Sequence, residues 1–471
     1  MSNLPVAIIG GGPVGLAAVA HLLERGETPI LFEAGDAVGA NIRDWGHVRM
    51  FSPWEYTVDS ASVRLLEQHG WQMPPQSDLP TGADLRDKYM LPFADLPEVR
   101  DVIQLGAKVV AISRRHVDKM KDKGREDAPF VLHVEYSNGD EALIEARAVI
   151  DASGTWHKPN PIGANGLPAV GEKRYSDRIA YGIPDVAGSA KPRYANKRVM
   201  VVGTGHSAIN VLLELVKLKQ DYPDTQAFWV MRGTNLQKIY GGQADDALEA
   251  RGQLGTRIQA AVDSGTIEIV APFRITQVAQ VNNDLQVTGE TNGDVDTVTV
   301  DEIIASTGAR PDFDLVRELR LDLDPSLEST RILGPMIDPN IHSCGTVPPH
   351  GEAELRQPEK DFYMVGMKSY GRAPTFLLAT GYEQVRSVVA GLVGDWEAAR
   401  DVQLNLPETG VCSTDFVGEG NACCGSPAAE SAPALLAIGE IPVTVNGGKQ
   451  QLIQITSSAS DTACCGDDCC S

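Results

Sequence analysis

The stretch Val6-Ala7-Ile8-Ile9-Gly10-Gly11-Gly12-Pro13-Val14-Gly15 decides how this chain is read. Four apolar residues, enough for a short buried strand, run straight into the glycines. A helical pattern follows from Leu16 to Leu23, and a second apolar run, Pro29-Ile30-Leu31-Phe32, ends on Glu33. The order is strand, glycine turn, helix, strand, acid. Gly10 permits the tight turn, Gly12 lets the backbone approach a pyrophosphate, and Gly15 lets the helix pack closely on the strand. The helix N-terminus beginning around Pro13 offers unpaired N–H groups and a positive dipole end to phosphates. Glu33, about 20 residues on, would accept hydrogen bonds from an adenosine ribose. Together these features predict a dinucleotide site.

The chain has 471 residues, room for two or three domains. With 42% apolar and 22% charged residues it reads as globular. It contains no apolar run of about 18 residues, so no membrane span is expected. The first strand starts too early to leave room for a signal peptide. A net charge of −22 and a pI near 4.8 argue against nucleic-acid and anionic-membrane partners. Of eight cysteines, one is Cys344 and the rest lie beyond residue 411. A body almost without cysteine fits a cytoplasmic protein lacking structural disulfides.

Residues 36–100 do not read as regular structure apart from a helix over 58–69. Arg43, Arg49, Arg64, Trp45, Trp54 and Trp71 are interspersed there, and Arg49 and Trp54 are candidates to line a cofactor. Strands are expected over 108–113, 130–136 and 142–150, with Asn138-Gly139 as a hairpin turn. This set ends in Asp151-Ala152-Ser153-Gly154. Residues 157–197, rich in Pro, Gly and basic residues, read as a linker.

The plan then repeats. Arg198–Val202 is a strand, Gly203-Thr204-Gly205-His206-Ser207-Ala208 is a GxGxxA turn, and a helix is expected over 211–218. The next strand ends on Arg232 instead of an acid. Strands over 266–272, 275–281, 285–288 and 297–300 are read as another small set, closing on Ser306-Thr307-Gly308 through Asp312. Two copies of one plan imply two dinucleotides. A carboxylate such as Glu33 suits a free ribose diol, and an arginine such as Arg232 suits a 2′-phosphate. FAD at the first turn and NADPH at the second is the simplest assignment, with NADH open as the alternative. A third section, a strand over 361–366 ending on Gly366 and a helix over 382–392, returns to the first domain.

On Gly10–Gly15 with Glu33, Asp151–Gly154, Gly203–Ala208 and Ser306–Asp312, residues 5–395 resemble the two-dinucleotide-binding-domain flavoproteins, which include thioredoxin reductase-like enzymes and flavin-containing monooxygenases. The resemblance implies an α/β chain of two Rossmann-like three-layer domains with a cysteine-rich C-terminal tail. Residues 1–160 and 306–398 would bind FAD, residues 194–305 NAD(P)H, and residues 399–471 would form the tail. It implies cofactor contacts from Ser153, Gly154, Gly308 and Gly366. It also implies a helix N-terminus near Thr380-Gly381 that faces the flavin and stabilises charge on its reduced form. The family usually has Gly-Asp where this chain has Gly366-Met367. Lys368, Tyr370 and Arg372 follow, where substrate or nicotinamide would sit. No redox CxxC lies beside either glycine turn. The region 41–54 and Ser153-Gly154-Thr155-Trp156 look like the monooxygenase branch, but its FxGxxxHxxxY/W signature is missing from 160–197. The implied activity is hydride transfer from NADPH to FAD followed by oxygen activation, with a small-molecule substrate. No catalytic side chain is named by the sequence, which is silent on oligomeric state.

The tail carries Cys412 and the adjacent pairs Cys423-Cys424, Cys464-Cys465 and Cys469-Cys470. Adjacent thiolates suit a soft ion such as As(III). The tail resembles those of flavin monooxygenases in arsenic-resistance clusters. Two alternatives stay open: a pyridine nucleotide–disulfide reductase, of mercuric or thioredoxin reductase type, using the tail pairs, and a metalloid-binding flavoprotein without turnover.

Overall fold

The computed structural model describes residues 4–241, 249–341 and 347–404. All described residues belong to one compact unit, which lies within Met1–Phe416. The six paired tail cysteines lie outside the described residues.

Two five-stranded parallel sheets organise the unit. The first runs Phe362–Met364, Ala148–Asp151, Val6–Ile9, Pro29–Glu33, Ile103–Leu105. The second runs Ile267–Val270, Gln226–Val230, Arg198–Val202, Glu302–Ala305, Ile179–Tyr181. Each is the middle of three layers. Val6 and Ile8 face helices Pro13–Glu24 and Leu378–Leu392, while Ala7 and Ile9 face an antiparallel sheet of Ala107–Arg114, Phe130–Tyr136 and Glu141–Ala146. Val199 and Val201 likewise face helices His206–Asp221 and Glu249–Asp263; Met200 and Val202 face Arg274–Val281, Asp284–Thr291 and Asp294–Val300. Burial on both faces is why these strands read as unbroken apolar runs. The internal repeat is thus a repeat of architecture.

Several expectations are corrected. The 142–150 strand is two. Glu141–Ala146 pairs in the antiparallel sheet, and the chain changes sheets at Arg147, whose N–H donates to Pro5 O, before Ala148–Asp151 joins the parallel one. Residues Ile267–Val270 belong to the second parallel sheet, beside Gln226–Val230. The helix expected over 382–392 starts at Leu378, so Thr380 lies inside its first turn, and the helix expected over 211–218 spans His206–Asp221. Helical segments between Gly82 and Arg100 and the edge strand Ile179–Tyr181 carry weak sequence signals and were not expected.

Two crossovers join the sheets, and they run side by side. Asn160 N donates to Gly308 O at 2.9 Å and Arg310 N to Lys158 O at 2.9 Å. Asn160 Nδ2 adds a bond to Thr307 O at 3.1 Å.

Candidate functional site

At the first turn the glycines have separate jobs. Gly10 has φ +100°, and a Cβ there would come within 2.8 Å of Ala152 O. A Cβ on Gly15 would meet Gly10 O at 1.9 Å. Gly12 differs: its φ is an ordinary −78° and nothing lies within 4 Å of where its Cβ would be. This is open space at the N-terminus of helix Pro13–Glu24, where no side chain caps the free N–H groups and Pro13 holds one of the first two positions. Glu33 closes the other side, accepting from Gly11 N at 2.6 Å and Gly35 N at 2.7 Å, one bond to each carboxylate oxygen. A carboxylate oxygen accepts about two bonds, so each keeps capacity for a hydroxyl.

A residue that sequence reasoning missed adds to this wall. Arg86 opens a π-turn, Arg86–Met90, a rare geometry common at functional sites. Its Nε is buried without a partner, and its Cγ lies 3.5 Å from where a Cβ of Gly39 would be. The N–H of Gly39 donates to Gly11 O. A buried donor without a partner calls for an acceptor that the protein itself does not supply. Arg86 Nη1 itself pairs with Asp87 Oδ1 at 2.7 Å, so the unused donor is Nε. Open space, uncapped helix, hydroxyl acceptor and this unused donor together fit an adenosine diphosphate moiety.

The second turn repeats the pattern. Gly203 has φ +137° and packs on Ser306 O; Gly205 has open space at its Cβ position. Helix His206–Asp221 begins there without a side-chain cap; Ser207 is half-buried in its first turn, and Ala208 is buried where the first turn has Gly15. Arg232 is exposed as a residue. Desolvation around its guanidinium, and then repulsion from Arg372, lower its pKa from the ordinary arginine value. Arg372 is thus close enough for its charge to be felt at Arg232, a setting in which an added anion is favoured. Nη1 of Arg232 also donates to Ala164 O at 3.2 Å. Gly308, at φ +76°, lies in the crossover, not in either turn.

The first lobe also reaches the second turn. Phe51, in the loop with Arg49 and Trp54, sets its ring 5.3 Å from that of His206 at a tilt of 45°, and in the first lobe Trp156 Nε1 donates to Asp44 Oδ2 at 2.8 Å. Arg49 donates to Leu79 O at 2.8 Å. Trp54 is only 3% exposed and joins the core. Both border a depression of about 570 Å³ with Asp78, Asp84 and Lys88.

Beyond the strand Phe362–Met364, Gly366 takes φ +66° and its N–H donates to Gln384 Oε1 at 2.8 Å. Gln384 Nε2 meets His350 Nε2 at 3.0 Å, while His350 Nδ1 meets Pro348 O at 3.0 Å. The carbonyl requires a proton on Nδ1, so Nε2 is the acceptor and the imidazole is neutral. Burial holds its pKa below the usual histidine value. In the following loop, Lys368 and Tyr370 are buried, at 0% and 1% exposure, which corrects their expected place facing substrate; Arg372 is exposed. Lys368 instead pairs with Asp151 and Ser153. The Ser153 hydroxyl thereby gives its one proton to Asp151 and keeps a single acceptor position, while Gly154 has open space at its Cβ position in which to face a ligand.

A family model described as pyridine nucleotide-disulphide oxidoreductase matches residues 115–331, and one described as NAD(P)-binding Rossmann-like domain matches residues 8–69. The structure is similar to that of a bacillithiol disulfide reductase from Bacillus cereus (TM-score 0.60, 19% identity, covering 83% of this chain and 99% of that one). It is also similar to an FAD-bound cadaverine monooxygenase from Erwinia amylovora (TM-score 0.58, 10% identity, 88% and 99%). An ornithine hydroxylase from Pseudomonas aeruginosa follows (TM-score 0.55, 14% identity, 84% and 100%). Among curated proteins, thiamine thiazole synthase from Pyrobaculum islandicum is 26% identical over 191 residues, 38% of this chain and 67% of its own length. The chain thus shares the fold of these solved structures: two glycine turns, each on a three-layer lobe, with paired crossovers joining the lobes.

Proposed function

We infer that the chain is an oxidoreductase that uses FAD at the first turn and NADPH at the second, with monooxygenase-like chemistry. The observation that carries this reading is the contrast between the two turns. Both leave open space at their middle glycine, Gly12 and Gly205, but one ends in Glu33 and the other in the region of Arg232 and Arg372. Gly10, Gly12, Pro13, Gly15, Glu33, Arg86 and Gly154 would hold FAD; Gly203, Gly205, His206, Ser207, Ala208 and Arg232 would hold NADPH. FAD, when bound, supplies two-electron transfer from a nicotinamide to an acceptor. The first helix dipole favours its phosphates, and the buried walls keep water from its ring. With a soft nucleophile as substrate, NADPH, a proton and oxygen would give NADP⁺, water and the oxygenated product.

Oxygen is the favoured acceptor because the described residues contain no cysteine. A reductase would have to bring its thiols from elsewhere, and the tail pairs are the source for that second reading. The tail is proposed to bind As(III) or another soft ion through Cys423, Cys424, Cys464, Cys465, Cys469 and Cys470, which would connect the enzyme to a thiophilic toxicant.

The test is anaerobic reduction of the purified protein by NADPH, then mixing with oxygen, for the full chain and a form lacking residues 405–471. Rapid oxygen-dependent reoxidation in both forms supports the monooxygenase-like reading. Reduced flavin indifferent to oxygen, with tail thiols appearing as NADPH is consumed, supports the reductase. No reduction by NADPH or NADH overturns both. Arsenite titration of the two forms, read by free-thiol loss, tests the tail.

A further inference from the structure

Lys368 and Asp151 form an ion pair in which both side chains are 0% exposed. Lys368 Nζ donates to Asp151 Oδ2 at 2.6 Å and to Ser153 Oγ at 3.0 Å, and Ser153 Oγ donates to Asp151 Oδ1 at 2.6 Å. Ser153 N also donates to Asp151 Oδ1, at 3.1 Å. These groups come from two segments that both wall the first glycine turn. A Cβ on Gly10 would come within 3.0 Å of Ser153 Cα, and one on Gly366 within 3.2 Å of Val14 Cγ2. The pair therefore ties the end of strand Ala148–Asp151 and the turn after Phe362–Met364 to the place where the helix N-terminus opens. An ammonium has three donors, and two are accounted for here.

We propose that Lys368 is the positioning residue of the first dinucleotide site: it fixes Asp151-Ala152-Ser153-Gly154 against the glycine turn. The inference rests on reading that turn as the FAD site. The charge of Lys368 is matched by that of Asp151, so the pair adds no net charge to the site and acts through the geometry it imposes on the two segments. A merely structural pair behaves differently, since an uncharged pair of similar shape replaces it with little loss.

The experiment uses the full chain as wild type, Lys368→Met, and the double variant Lys368→Met/Asp151→Asn. Melting temperature, FAD dissociation constant of the apoprotein, and midpoint potential are measured for each. Lys368→Met alone strands a buried carboxylate and lowers the melting temperature. The double variant recovers most of it, yet binds FAD about tenfold more weakly, with its midpoint potential little changed because the net charge of the site is the same. Wild-type FAD affinity in the double variant overturns the proposal. Ser153→Ala gives a second measure, because it leaves the ion pair and the backbone bond from Ser153 N to Asp151 and removes only the hydroxyl that bridges the two side chains. Its FAD affinity falls several-fold at an unchanged melting temperature, and unchanged affinity again overturns the proposal. A wild-type protein that binds no FAD at all removes the underlying reading itself, an outcome distinct from these.

Discussion

The ring of Phe51 stands 5.3 Å, centroid to centroid, from the ring of His206 at an interplanar angle of 45°. Phe51 belongs to the first lobe and His206 opens the helix of the second, so one aromatic contact registers the two dinucleotide turns against each other. Such pairs contribute about 0.5–1.5 kcal/mol. Phe51→Ala is expected to slow flavin reduction by NADPH about two- to tenfold in stopped flow, with flavin content unchanged. An unaltered rate would mean that the contact does not hold the productive arrangement.

Gly12 and Gly15 lie three residues apart but should respond oppositely to alanine. At Gly12 the added methyl enters open space at an allowed φ, so Gly12→Ala keeps its melting temperature while FAD binding is lost. At Gly15 the methyl collides with Gly10 O, and Gly15→Ala should destabilise the fold by about 1–3 kcal/mol. Differential scanning calorimetry beside flavin absorbance separates the two. Equal loss of stability at both positions would contradict a cofactor role for Gly12.

That contrast marks how far the sequence could be read. Parallel strands buried on both faces wrote themselves as apolar runs, and each glycine turn stood between a strand and a helix, so both sheets' central strands and both turns were legible. Strand 142–150 was misread because no residue type marks a change of sheet; only the bond from Arg147 N to Pro5 O does. Lys368 was misplaced for a related reason. A lysine in a loop reads as solvated, and its burial depends on Asp151, 217 positions away. Arg86 carried no signal at all, since a π-turn has no composition of its own.

Arg232 should read the 2′-phosphate. Charge-assisted hydrogen bonds contribute about 1.5–3 kcal/mol. Arg232→Ala is therefore expected to lower kcat/KM for NADPH by about ten- to hundredfold while leaving NADH nearly unaffected. Steady-state kinetics with both nucleotides give the ratio. A ratio that does not move would transfer the selectivity to Arg372 or abolish the assignment.

Acid stability should depend on His21 and Asp59, whose side chains meet at 2.9 Å in the core behind the first helix. Burial pushes the Asp59 pKa up, but the His21 charge and hydrogen bond, with the bonds from Ser62, outweigh it and leave the pKa below the usual carboxylate value. A depressed carboxylate stabilises the fold above its unfolded pKa, and this stability is lost as pH falls below about 4. Asp59→Asn should lower stability at neutral pH by about 1–3 kcal/mol and flatten the acid limb of a melting temperature–pH profile. An unchanged acid limb would place the sensitivity elsewhere.

The paired crossovers at Lys158–Asn160 and Gly308–Arg310 have an evolutionary meaning. Where the chain leaves the first lobe and where it returns are neighbours, bridged by backbone hydrogen bonds that any sequence can make. The second lobe is thus a cassette held by its two ends at one point. Recombination at these positions could exchange one nicotinamide-handling module for another, leaving the first lobe's sheet and glycine turn intact. Nucleotide preference and acceptor chemistry would then drift independently within one lineage.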